Sequence, residues 1–405
     1  MPGFDDLDLD QLHRRPGVKW AIAGPDVLPA WVADMDFPIP PPVRDALVRR
    51  VDTDLGYPLW IDSEHGLALP EAFAERMARR YGFTPEPSYV REFTDVNQAL
   101  QVILQVATRP GDPVALHVPA YPPFLETLAS MDRPLVPIPM APTADGWGFD
   151  ADRFADDAAR RGCRVLLLVN PQNPTGRAFR RDELLALADV ALARDLLVIS
   201  DEIHADLVYE PARHIPFASL GEEIADRTIT VTSATKAFNL AGIRCAVAHL
   251  GARHVREAVA AQPKFLFGEV SVLGVVATLA AWRECDGWLD EVVAVLDRNR
   301  RRLVEALPAG VTGRLPEATY LAWLDCRALG LGPDPVEFFR ERAGVLLSGG
   351  PPFGPGGEGF ARLNFATSAA VLDEILARMR AAVTHGRPAG PRPDEPHPAG
   401  SRPGQ

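Results

Sequence analysis

Only three of the 42 lysine and arginine residues in this chain are lysines, so chemistry that needs an ε-amine has few places to occur. Lys236 stands in Ser233-Ala234-Thr235-Lys236-Ala237-Phe238-Asn239, after the β-branched run Thr228–Thr232, whose composition predicts a buried strand. Small hydroxyl residues flank it, and Arg244 follows shortly after. An amine at a strand end, among hydroxyls and near an arginine, suits covalent attachment of a carbonyl cofactor such as pyridoxal 5′-phosphate. Lys19 lies in a Pro/Gly-rich N-terminal stretch and Lys264 in Gln262-Pro263-Lys264-Phe265.

Other side chains fit the same chemistry. Asp201 follows the apolar run Leu196–Ile199, and a carboxylate buried at a strand end needs a cationic partner. A protonated pyridine nitrogen is such a partner, whereas Glu202 points to the opposite side. His204 is placed to reach the phenolic oxygen of the ring, although an isolated histidine here also reads as structural. Asn173, in Asn170-Pro171-Gln172-Asn173-Pro174-Thr175-Gly176, either caps a tight turn or donates its amide to that oxygen. A phosphate needs several donors and a cation. Ser233 and Thr235 supply hydroxyls, Arg244 the cation, and the start of a helix near Val96 and Asn97 supplies backbone N–H groups. Asp95 would repel a phosphate, so it is expected to cap that helix and point away. Tyr121, on a loop after the strand Val114–Val118, either covers a ring face or packs in the core. Arg362 alternates within a C-terminal strand and reads as a solvated residue or as a bidentate carboxylate clamp. Nothing local marks Tyr57 as functional.

The elements that must position these residues alternate. The spacing predicts helices near 43–52, 68–81, 94–108 and 181–194, and strands at 114–118, 165–169, 196–199 and 228–232. Continuous apolar strands separated by helices imply a mostly parallel sheet covered on both faces. Ligands then gather at the carboxyl ends of its strands, where Asn173, Asp201 and Lys236 all fall. After about residue 283 the texture changes to a smaller α+β lobe: a helix near 288–307, strands at 320–325, 345–348 and 361–366, and helices at 335–343 and 370–384. Residues 1–30 read as irregular, and 386–405 as a disordered tail.

Composition bounds the possibilities. A formal charge of −12 argues against a nucleic-acid or anionic-membrane surface. The four cysteines are far apart and show no metal-like spacing, so buried thiols in a reducing cytoplasm are expected. The acidic N-terminus is unlike a signal peptide, and the apolar stretch 270–282 is too short to span a bilayer.

Taken together, the motifs resemble the fold-type I, class I/II aminotransferase superfamily, and within it the MalY/PatB-like cystathionine β-lyase branch. The resemblance is carried by Trp31-Val32-Ala33-Asp34-Met35-Asp36-Phe37, Asn173-Pro174-Thr175-Gly176-Arg177, Asp201-Glu202-Ile203-His204-Ala205-Asp206, Thr235-Lys236-Ala237-Phe238-Asn239-Leu240-Ala241-Gly242, Tyr320–Asp325, Phe353-Gly354 and Arg362-Leu363-Asn364. It covers roughly residues 30 to 380. It implies an α/β fold with a seven-stranded, mostly parallel sheet: an N-terminal arm (1–45), a large cofactor domain (46–285), a small C-terminal domain (286–385) and a tail (386–405). It implies that Lys236 holds pyridoxal 5′-phosphate covalently. Asp201 would meet its ring nitrogen, Asn173 and His204 its phenolic oxygen, and Tyr121 its face. Arg362, with Asp34, would bind the substrate. Tyr57 would reach the phosphate of a neighbouring subunit, hence a homodimer with shared sites. The departure is Thr94-Asp95-Val96-Asn97, because many relatives carry glycine where Asp95 stands.

The implied activity is α,β-elimination from a cysteine S-conjugate, for example cystathionine, to a thiol, pyruvate and ammonia. An aminotransferase is the alternative, since proton removal at Cα is common to both and Arg244 is commoner in aminotransferases. A non-catalytic binding protein on this scaffold is a third reading, disfavoured by Lys236, Asp201 and Arg362 occurring together. The loops around Leu59-Trp60-Ile61, Pro263–Phe267 and Pro351–Gly357 are expected to set the S-substituent.

Overall fold

The computed structural model describes residues 3–57, 68–144, 146–263 and 265–386. The loop Leu59-Trp60-Ile61, Lys264 and nearly all of the expected tail lie outside these residues.

Seven strands form the main sheet: β1 (Val90–Phe93), β2 (Val114–Val118), β3 (Leu135–Pro139), β4 (Val165–Val169), β5 (Leu197–Asp201), β6 (Thr228–Thr232) and β7 (Ala246–Leu250), in the spatial order β1-β7-β6-β5-β4-β2-β3. The five strands from β3 to β6 run parallel, and β7 is antiparallel to both its neighbours. This is the mostly parallel seven-stranded sheet expected above.

Burial on both faces explains the unbroken apolar runs. On β4, Val165, Leu167 and Val169 join one core with Leu100, Ile103 and Leu104 of the helix Val96–Ala107. Leu166 and Leu168 face the other way, toward Phe154 of the helix Ala151–Arg161 and Leu184 and Leu187 of the helix Arg181–Ala193. Alternate residues on a strand point to opposite faces, so a sheet covered on both sides demands apolar residues at every position.

A second sheet joins β8 (Thr312–Gly313), β9 (Leu321–Asp325), β10 (Ser348–Gly349) and β11 (Phe360–Asn364) in the antiparallel order β8-β9-β11-β10. Behind it lie the helices Asp286–Glu305 and Ala369–His385.

Residues 3–30 are more ordered than the sequence suggests. Short helices span Leu9–His13 and Val18–Ala21, and Leu28–Pro29 pairs in parallel with Val345–Leu346. Asp8 caps the first helix, accepting from the Asp10 N–H at 2.9 Å. Elements of four or five residues are shorter than the periodicity that would reveal them. Leu12, Trp20 and Leu28 join the core of the C-terminal elements.

Candidate active site

Strand register levels the carboxyl edge of the main sheet. Val169, Asp201 and Val231 pair in one row across β4, β5 and β6. The chain runs from β2 outward to β3 and then crosses to β4, so the strand order reverses beside β2, where an open α/β sheet forms its crevice. A cavity opens there, lined by Tyr121, Asn173, Asp201, His204 and Lys236 and, toward one end, by Asp95, Val96, Asn97, Ser233, Thr235 and Arg244. Tyr121 is the N-cap residue of the helix Pro122–Ser130, and Asp201 is the last residue of β5 rather than the first beyond it.

Asp201 and Glu202 diverge. Asp201 continues the face of Leu197 and Ile199, toward the cavity. Glu202 turns to the opposite face, where it accepts from Ser200 Oγ at 2.8 Å and the Phe217 N–H at 3.0 Å and sits 3.0 Å from His214 Nε2. Asp201 is only 5% exposed and accepts from the Ile203 N–H at 3.1 Å. Burial pushes its pKa up to about 7, the Glu202 charge adds to this, and the Ile203 N–H and Lys236 oppose it. A carboxyl so placed is poised to hold a proton shared with a basic ring nitrogen.

Lys236 Nζ donates to the Ala33 carbonyl at 2.8 Å, and the Tyr320 hydroxyl donates to the same oxygen at 3.0 Å. Burial lowers the lysine pKa to about 8, against which the Asp34 and Asp201 charges raise it and Arg362 lowers it further. Relative to an ordinary lysine this disfavours the ammonium by roughly 3 kcal/mol and leaves an appreciable neutral, nucleophilic fraction near neutral pH.

Arg362 is buried, not solvated. It shares a face of β11 with Asn364, donating from Nη1 to Asn173 Oδ1 at 3.0 Å and from Nη2 to the Trp31 carbonyl at 3.1 Å. Its guanidinium also lies 5.0 Å from the centre of the Phe353 ring. Burial brings its pKa down to about 10, so it remains a cation at neutral pH. His204 is held neutral: burial, then the Lys236 and Arg362 charges, take its pKa down to about 3.

At the other end of the cavity, Ser233 Oγ donates to Thr235 Oγ1 at 2.9 Å. Asp95 Oδ1 caps the helix Val96–Ala107 by accepting from the Gln98 N–H at 2.8 Å. Its other oxygen does not point away as expected: it forms an ion pair with Arg244, and both residues line the cavity. The arginine satisfies the charge that would otherwise oppose an anion.

These residues fit pyridoxal 5′-phosphate. A buried carboxyl without a full cationic partner suits the ring nitrogen. His204 Nδ1 and Asn97 Oδ1 are buried without a hydrogen-bond partner among the described residues. A helix N-terminus, two hydroxyls and an arginine suit the phosphate. Of the expected residues, Arg362 and Asp34 do not line the cavity but adjoin it, Arg362 through its bond to Asn173 and Asp34 through its charge near Lys236, while Tyr57 is 83% exposed. The motif reading missed Tyr320 and Asn239 as side chains with a task. Asn239 brackets the Trp31–Phe37 segment, donating to the Met35 and Phe37 carbonyls at 3.1 and 2.8 Å and accepting from the Met35 N–H at 3.0 Å. Both stand inside motifs already singled out, which was the available signal.

The family model described as aminotransferase class I and II matches residues 34–379, and the chain belongs to that family. A cystathionine beta-lyase of Corynebacterium glutamicum is 34% identical over 374 residues, covering 92% of this chain and 98% of the relative. Cystathionine beta-lyase PatB of Bacillus subtilis is 32% identical, covering 93% of this chain and all of the relative (100%). The PLP-bound C–S lyase from Staphylococcus hominis superposes with a TM-score of 0.87 at 29% identity, covering 95% of this chain and 99% of that one. Among the described residues, no helix is long and apolar enough to cross a membrane.

Proposed function

We propose that the protein is a pyridoxal 5′-phosphate-dependent carbon–sulfur β-lyase. It converts a cysteine S-conjugate of the cystathionine type, with one water, to a thiol, pyruvate and ammonia. The observation that carries the reading is the pairing, in one buried cavity, of an amine of lowered basicity at Lys236 with a carboxyl of raised pKa at Asp201. The kinship with cystathionine beta-lyases over nearly the whole chain supports the same reading.

When bound, the cofactor supplies an electron sink for the bonds at the substrate Cα. Lys236 would hold it covalently, Asp201 would face its ring nitrogen, and Asn173, His204 and Tyr121 would surround the ring. Val96, Asn97, Ser233, Thr235 and Arg244 would hold its phosphate. Arg362 binds the substrate carboxylate through its planar fork, and the Asp34 charge beside Lys236 favours an ammonium group nearby. Lys236 Nζ, once neutral, takes the proton from Cα as general base, which its lowered pKa permits near neutral pH. Departure of the sulfur from Cβ completes the elimination. The buried walls around Asp201 and His204 keep water from competing for the proton.

We further infer a homodimer in which Tyr57 completes the partner's phosphate site. In its support, Val48, Val51, Leu55 and Tyr57 form an exposed run along and just beyond the helix Pro41–Thr53. The deciding experiment incubates the holoenzyme with a cysteine S-conjugate and no keto acid. Equimolar thiol and pyruvate are expected; turnover only when a 2-oxo acid is added would make the protein an aminotransferase instead.

A further inference from the structure

The Trp31–Phe37 segment runs between the two sheets, and its carbonyls are taken up alternately. The Trp31 and Ala33 carbonyls accept from Arg362, which bonds the cavity residue Asn173, and from Lys236, which lines the cavity. The Val32 and Asp34 carbonyls accept from Asn364 Nδ2 at 2.7 and 2.6 Å. Lys19 Nζ also reaches the Asp34 carbonyl, at 3.0 Å, and forms an ion pair with Asp36 at 2.9 Å. Both members of that pair are almost fully buried, with side-chain exposures of 5% and 2%. Trp20 Nε1 donates to the same Asp36 oxygen at 2.7 Å, and Trp31 Nε1 donates back to the Lys19 carbonyl at 3.2 Å. Two of the three lysines of the chain therefore hold successive carbonyls of one segment, Lys236 from the cavity side and Lys19 from behind.

We propose that the buried Lys19–Asp36 pair is a positioning device for substrate binding. It anchors the rear of the Trp31–Phe37 segment, so that the Trp31 and Ala33 carbonyls present fixed partners to Arg362 and Lys236. Arg362 must exchange the Trp31 carbonyl for the substrate carboxylate, and the position of that carbonyl sets how easily the exchange occurs and where the guanidinium points. A loosened segment leaves Arg362 free to follow its carbonyl partner out of the geometry that grips a carboxylate. Lys19 touches neither cofactor nor substrate and acts through the segment alone.

This inference rests on the lyase reading, and the wild-type protein tests that reading separately: no thiol from wild type sinks the function, while the ratio of variant to wild type tests the anchor. The informative variant is Lys19→Met combined with Asp36→Asn, which removes both charges together and leaves the Trp20 bond an acceptor. For an amino-acid substrate, KM is expected to rise about tenfold while kcat stays within about threefold. Cofactor occupancy, read by absorbance, stays stoichiometric. Lys19→Arg, which keeps the charge and a donor, is expected to lie between the two. Should the double variant fold poorly, Trp31→Phe removes the bond to the Lys19 carbonyl while keeping an aromatic ring and both charges of the pair, and is expected to raise KM about twofold to threefold with kcat unchanged. An unchanged KM in a folded variant, or a loss of activity that merely tracks the folded fraction, overturns the proposal.

Discussion

Asp201 precedes and Asp206 ends the same turn, yet their surroundings oppose each other. Asp206 meets Arg76 Nη2 at 2.8 Å and Arg80 Nε at 3.2 Å, and the Tyr81 hydroxyl donates to it. Burial pushes its pKa up, but the Arg76 and Arg80 charges outweigh this and hold it below the usual carboxylate range. Asp201 has a single backbone N–H partner among the described residues and rises to about 7. The lysines repeat the contrast: Lys19 is matched to Asp36 by an ion pair, whereas Lys236 is given only a carbonyl and drops to about 8. Charges that hold the fold are satisfied within the chain. Asp201 and Lys236 are left to be completed by what binds in the cavity.

The contrast breaks if both aspartates respond alike. Asp201→Asn is expected to lower kcat by about a thousandfold, near 4 kcal/mol on the barrier, while urea unfolding midpoints hold or rise. Arg76→Met should do the reverse. It strips Asp206 of a buried partner and is expected to cost about 3 kcal/mol of stability in urea unfolding, with activity per folded, cofactor-loaded molecule kept. Arg362→Lys sharpens the comparison from the substrate side. A point charge replaces a planar fork, and kcat/KM is expected to fall about thirtyfold for a free carboxylate, about 2 kcal/mol, but far less for the corresponding amide.

The smallest effect concerns a buried histidine outside the cavity. His117 packs against Phe149 and Phe179, and burial takes its pKa down to about 3. In the unfolded chain it titrates near 6.5, so acidification protonates the unfolded state first. Its contribution is intact above that pH and is lost as pH falls from 6.5 toward 3. His117→Leu is expected to flatten the acid side of the stability profile by about 1 kcal/mol per pH unit, read from urea midpoints between pH 6.5 and 5.

Legibility in the sequence followed the same division. The strands Val114–Val118, Val165–Val169 and Thr228–Thr232 coincide with their apolar runs, because a strand covered on both faces leaves no other pattern. The helix Val272–Glu284 was legible only as an apolar stretch, since Gly274, Ala277, Thr278, Ala280 and Ala281 bury it on several sides and no polar stripe marks its period. The helix Pro122–Ser130 hid behind its opening prolines, which read equally as a loop. In the site, Asp201, His204, Asn173 and Lys236 could be read because each stands at or just past a strand end. The burial of Arg362 could not, because an alternating strand does not say which face is covered. Least legible were the carbonyls of Trp31 to Asp34, since a backbone acceptor carries no side-chain signature.

The central claim is that Lys236 carries pyridoxal 5′-phosphate as an imine. Borohydride reduction of the holoenzyme followed by peptide mapping tests it directly. The label is expected on the peptide spanning Ser233 to Asn239 and absent from Lys236→Ala; label at Lys19 or Lys264, or on no lysine at all, contradicts the account.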